Sequence, residues 1–117
     1  MSDGAPSGGE YLGGRLWFEL KNTVVILGVT DFVIEQIGSV ESVEFPDEGQ
    51  DFNKGDVIAT LEGSNGSFEV TAPASGAIQE INEAVRFEPE RVSEDPTDEG
   101  WLVKFRIKDT TDLKEYI

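Results

Sequence analysis

From Arg15 onward the chain alternates short apolar runs with polar corners, and the period of each run predicts an element. Leu16-Trp17-Phe18-Glu19-Leu20 and the run from Thr23 to Val29 flank Lys21-Asn22, which predicts a hairpin whose second strand is apolar on both parities. Thr30 and Asp31 are good N-cap residues. Phe32, Val33, Ile34 and Ile37 follow, then Gly38, so a helix of about two turns is expected to bury Phe32 or Val33 with Ile37. Val40, Val43 and Phe45 punctuate polar residues in a strand of imperfect alternation that Pro46 ends.

Residues 47–56 read as a loop, followed by the run from Val57 to Glu62. The chain then turns at Asn65-Gly66, where positive φ at both positions of a type I′ turn is expected, and returns from Ser67 to Ala72. Pro73-Ala74-Ser75-Gly76 makes another corner before a strand from Ala77 to Asn82. Residues 83–92 permit a short helix broken by Pro89, and residues 93–100 form a polar loop. Trp101, Val103, Phe105 and Ile107 alternate with Leu102, Lys104 and Arg106 in a half-buried strand. The tail, residues 109–117, offers an N-cap and then Leu113, Tyr116 and Ile117 at helical spacing, which predicts a short closing helix. About seven strands and three brief helices predict a mainly β fold, a small sandwich or partly closed barrel.

Residues 1–14 are rich in Gly and Ser and are expected to be a flexible leader, with one domain over 15–117. A chain of 117 residues, 38% hydrophobic, is the size of one core. Charge narrows the partners. With 24 acidic against 9 basic residues and a net charge of -15, the chain repels phosphate backbones and anionic lipid, so neither nucleic acid nor membrane is expected. A basic protein surface is the partner the charge favours. The absence of any apolar run near the roughly 18 residues that span a bilayer, and of a signal-like N-terminus, leads us to expect a cytoplasmic location.

The chain has no cysteine and no histidine, which removes thiolate nucleophiles, imidazole general bases and the usual zinc ligands. Asn65-Gly66-Ser67 matches a glycosylation acceptor, but the turn reading is preferred. The carboxylates of Glu88, Glu90, Glu94, Asp95, Asp98 and Glu99 lack the alternation of a calcium loop and read as solvated charge, with no metal expected. The glycines at 28, 38, 49, 55, 66, 76 and 100 fall at strand ends and corners, where positive φ is the ordinary explanation. A small enzyme is disfavoured.

Several blocks in unbroken order over residues 15–117 resemble the glycine cleavage system H protein family, whose members are lipoate-carrying shuttles. They are Val29-Thr30-Asp31-Phe32 with Glu35-Gln36-Ile37-Gly38, Val43-Glu44-Phe45-Pro46 with Gly49, Ile81-Asn82-Glu83-Ala84, Glu88-Pro89-Glu90, Glu94-Asp95-Pro96 and Gly100-Trp101-Leu102. The resemblance implies a barrel-sandwich hybrid of the lipoyl- and biotinyl-carrier kind with short flanking helices. It also implies a hairpin tip whose lysine carries lipoate. Setting Glu62 and Pro73-Ala74-Ser75-Gly76 on the family's tip segment without a gap puts Asn65 where that lysine belongs.

An asparagine amide is short and non-nucleophilic, so no lipoate and no other cofactor is expected at the tip. The expectation is a non-catalytic, non-lipoylated module that binds a protein, a glycine cleavage or lipoate-handling enzyme, through Glu62, Ser64, Asn65 and Gly66. The alternative is a working carrier of that or a related lipoate-dependent system, using Lys21, Lys54, Lys104, Lys108 or Lys114.

Overall fold

The computed structural model describes residues 7–116. The expectations for residues 1–6, for Ile117 and for the side chain of Tyr116 lie outside the described residues. In chain order the elements are β1 (Ser7–Tyr11), β2 (Leu16–Lys21), β3 (Val24–Val29), α1 (Asp31–Ile37), β4 (Val40–Glu44), β5 (Asp51–Phe52) and β6 (Val57–Gly63). There follow β7 (Gly66–Thr71), β8 (Gly76–Ile81), α2 (Glu83–Phe87), α3 (Glu90–Glu94), β9 (Val103–Ile107) and a closing 3₁₀ helix, Thr110–Tyr116. Six strands form one antiparallel sheet in the order β1, β2, β3, β9, β8, β5, and three form another in the order β4, β6, β7.

The two sheets share one apolar cluster. Leu16, Val25, Leu27, Val29 and Phe105 of the large sheet and Leu61 and Val70 of the small one are all fully buried, joined by Val33 from α1. The expected hairpin of β2 and β3 is present, turning at Asn22, which has a φ of 59°. Between Phe32 and Val33, burial goes to Val33, and Phe32 is left 44% exposed beneath the Arg15 guanidinium, 5.0 Å from its ring centre. Imperfect alternation in β4 has a physical cause, a bulge between Val40 and Ser42 that sets Val43 against Leu61. Pro89 separates α2 from α3 as expected.

Four expectations need correction. The stretch expected to be a leader enters the sheet, because Ser7–Tyr11 pairs with β2 through backbone bonds that need no apolar side chains, and the Tyr11 hydroxyl donates to the Thr71 carbonyl at 2.8 Å. The loop at 47–56 contains β5, a two-residue strand held by β8. In the closing strand Leu102 is fully buried with Val103, since it precedes β9 and its amide donates to the Leu27 carbonyl at 2.8 Å. Gly28, Gly76 and Gly100, assigned to positive-φ corners, all take ordinary φ, and Gly28 lies within β3. A Cβ there would stand 2.6 Å from the Trp17 ring, which crosses the strand to donate from Nε1 to the Pro96 carbonyl at 3.0 Å.

Thr30 occupies the N-cap position of α1, yet its hydroxyl makes no cap bond and donates instead to the Gly14 carbonyl at 2.7 Å. The buried polar residue that organises the other end of the sheet is Asn82, 5% exposed. Its Nδ2 donates to the carbonyls of Glu99 (3.0 Å) and Trp101 (2.8 Å), while its Oδ1 accepts from the Ala84 amide at 3.1 Å and so caps α2. One amide thus joins β8, α2 and the approach to β9. Among the described residues no helix is long and apolar enough to cross a membrane.

Replacing Asn82 by Ala removes three part-buried hydrogen bonds, to the Glu99 and Trp101 carbonyls and from the Ala84 amide, and urea unfolding should show a loss of about 2–4 kcal/mol. The acidic excess makes a second expectation. Stability should rise between ~0.01 and ~1 M sodium chloride, over which the screening length falls from about 30 to about 3 Å. A thermal midpoint that falls with salt would contradict it.

Candidate functional site

The hairpin of β6 and β7 ends in a two-residue loop, Ser64-Asn65, closed by the facing pair Gly63 and Gly66. This corrects the expected corner at Asn65-Gly66 by one position. Among described residues other than glycine only Leu12 and Asn22 have positive φ, so the turn is not type I′. The tertiary contacts explain why the loop closes one residue early. The Ser64 amide donates to the Ser39 carbonyl at 3.0 Å and the Asn65 amide to the Ile37 carbonyl at 2.7 Å. These carbonyls belong to the end of α1 and the link to β4, where helix carbonyls lack intrahelical donors.

The approach is close enough to exclude side chains at two places. A Cβ on Gly63 would collide with the Ile37 carbonyl oxygen, and one on Gly38 would collide with the Ser64 hydroxyl and lie 3.1 Å from the Asn65 side-chain nitrogen. Gly38 also takes a φ of 80°, which L side chains rarely adopt. The tip is therefore docked on the end of α1 by main-chain bonds.

Glu62, Ser64, Asn65 and Gly66, singled out in the sequence, are all exposed and adjacent at this tip. Sequence reasoning missed their support, Ile37, Gly38 and Ser39. It also missed the face that leads to the tip. In register across the small sheet, Ser42, Glu62 and Ser67 make one row and Glu44, Thr60 and Glu69 the next. Alternation sends Leu61 and Val70 inward and these two rows outward, so three carboxylates stand on one face. Among the described residues none of the three is in a salt bridge, although the two-residue alternation in 60–62 and 67–69 could have signalled a shared face.

The basic residues lie elsewhere. Lys104 is 3.6 Å from Glu80 and 5.2 Å from the Trp101 ring centre, and the Lys54 ammonium donates to the Asp112 carbonyl at 3.3 Å. Lys21 sits beside Glu19 at the end of β2, and Lys108 follows β9. Arg91 binds the Glu88 carboxylate at 2.8 Å, and that hydrogen bond, with the charge of Glu88 behind it, raises the guanidinium pKa. A shallow groove of about 410 Å³ beside Phe45 and Pro46 is rimmed by Asp47, Glu48 and the Glu83–Arg86 pair. It contains none of the tip residues. Among the described residues no group of three or more acidic side chains is placed to hold a metal ion.

A protein-family model described as Glycine cleavage H-protein matches residues 10–117. The chain is 38% identical over 108 residues to the glycine cleavage system H protein of Thermotoga maritima, covering 92% of this chain and 87% of that one. It is 33% identical to the protein of the same name from Staphylococcus epidermidis, over 96% of this chain and 89% of the other. The crystal structure of a glycine cleavage system H protein from Mycobacterium marinum superposes with a TM-score of 0.78 at 22% identity, covering 95% and 97% of the two chains, which establishes the common fold. Sequence match and fold agree, and the chain belongs to the glycine cleavage H-protein family.

Proposed function

We propose that this member of the family is a protein-binding module that carries no lipoyl group and docks on a partner through Glu62, Ser64, Asn65 and Gly66. Members of the family are carriers rather than catalysts, and this chain is not an enzyme. The family carries lipoate in amide linkage to a lysine amine. The observation that carries the reading is that the exposed apex offers an asparagine amide, with no lysine anywhere between Lys54 and Lys104. The residues at the tip do not fit the group, since a carboxamide neither acylates readily nor extends on a mobile stem.

Partner chemistry follows from charge. The carboxylates of Glu44, Glu62 and Glu69 share an exposed face with hydroxyl neighbours and no basic residue in the two rows. A protein presenting lysines and arginines, from among the glycine cleavage or lipoate-handling enzymes, fits that field. Fixing the tip on α1 reduces the ordering cost of docking.

Intact mass of the protein from its native source should equal the sequence mass, and a mass raised by a lipoyl group would overturn the proposal. With a glycine cleavage enzyme of the same source as titrant, Glu62→Lys should weaken binding about tenfold, or about 1.4 kcal/mol. The association rate should fall as salt is added. Unchanged affinity in that variant would remove the tip from the interface. Gly63→Ala should release the tip from Ile37, read as lost hydrogen-exchange protection at the Asn65 amide, with the core amides of β3 and β9 unaffected.

A further inference from the structure

We infer that Asn65 is a site of self-modification, at which the main-chain nitrogen of Gly66 displaces the side-chain amide of Asn65 and water converts the residue to aspartate or isoaspartate. The inference does not depend on the identity of any partner. It rests on what stands on either side of one peptide bond.

Asn65-Gly66 is the one Asn-Gly pair in the chain, since the other asparagines precede Thr23, Lys54 and Glu83. Attack by the following nitrogen is hindered by a side chain on that residue, and glycine has none. Both residues are exposed, and a Cβ built on Gly66 would meet nothing within 4 Å. The Asn65 side-chain amide lies beside Gly38 but makes no hydrogen bond with the described residues, so no bond has to break before its nitrogen leaves. Asn82 shows the opposite case, with an amide nitrogen held by two carbonyls at 5% exposure.

The nucleophile is also available. Gly66 faces Gly63 as the last rung of the β6–β7 ladder, and neither residue has a side chain to pack. Opening that rung therefore exposes no apolar side chain of its own, which keeps its cost low. On the other side of the bond the Asn65 amide remains tied to the Ile37 carbonyl at 2.7 Å, which holds the residue under attack while its neighbour moves.

In the first step the Gly66 nitrogen bonds to Asn65 Cγ, the Cγ–Nδ2 bond breaks, and ammonia leaves with the proton from the Gly66 amide. Water then opens the five-membered imide. Addition at Cγ gives aspartate, and addition at the main-chain carbonyl gives isoaspartate, with the chain running through the former side chain. The balance is amide plus water to carboxylate plus ammonium, without oxidation or reduction. Isoaspartate adds one main-chain atom between Asn65 Cα and the Gly66 nitrogen and so lengthens the two-residue loop beyond the amides that hold it to Ile37 and Ser39. Either product adds a carboxylate beside Glu62.

The test incubates the purified full chain at neutral and mildly alkaline pH, digests it, and follows the peptide between Lys54 and Arg86 by mass. The expected result is the mass change from amide to carboxylate at Asn65, faster at the higher pH, with isoaspartate detected by specific carboxyl methylation. The rate should exceed that at Asn22 and Asn53 by at least about tenfold. Asn65→Gln, whose ring would be larger, should stay unmodified while keeping the wild-type circular dichroism. No gain at Asn65, a rate equal to that of Asn22 and Asn53, or conversion surviving in Asn65→Gln would each overturn the inference.

Discussion

The bond from the Asn65 amide to the Ile37 carbonyl decides where the small sheet ends and what its end can present. Beside it, Ser64 donates to Ser39, and together the two bonds fit the loop against the end of α1. That geometry demands the absence of side chains at Gly38 and Gly63. The small sheet is thereby fixed to the connection that leaves the large one. Inward residues of the sheet, Leu61 and Val70, reach the shared core only in this register, and Glu62 faces outward for the same reason.

Much of this architecture was legible in the sequence, and the parts that were not have physical reasons. Alternation and turn residues located β2, β3, β6, β7, β8 and α1, because each carries its own apolar face. The register of the tip was missed by one position, since Asn-Gly propensity is a local signal and the bonds to Ile37 and Ser39 are not local. Neither β1 nor β5 has a hydrophobic pattern to detect. The first is Ser-Gly-Gly-rich and the second is two residues long, and both are held by backbone pairing with a neighbour. Leu102 defeated the alternation rule by lying outside the strand it was assigned to.

Family resemblance located the framework better than the site. Asn82 and Trp101, from separate quoted blocks, meet through one amide. Pro96 receives the Trp17 indole, and Thr30 ties α1 to Gly14. These are residues whose partners lie far along the chain, so their joint presence specifies a fold. The tip is different. Its residues touch little beyond α1, which leaves their chemistry free to change while the scaffold stays as it is. Asn65 stands at the apex of that frame with a short, non-nucleophilic amide.

The strand order of the large sheet has a consequence for how the chain reaches its shape. Val25 lies beside Phe105, so the centre of that sheet is assembled from segments distant in the chain, while β6 and β7 need only each other and a two-residue loop. Long-range pairing is slow because the entropy of closing the loop is lost before the contacts return it. The hairpin that bears the tip can form early and locally, and β3 must wait for β9 with an apolar edge uncovered. During that interval the excess of carboxylates opposes association of neighbouring chains by repulsion, which guards the uncovered edge until β9 covers it.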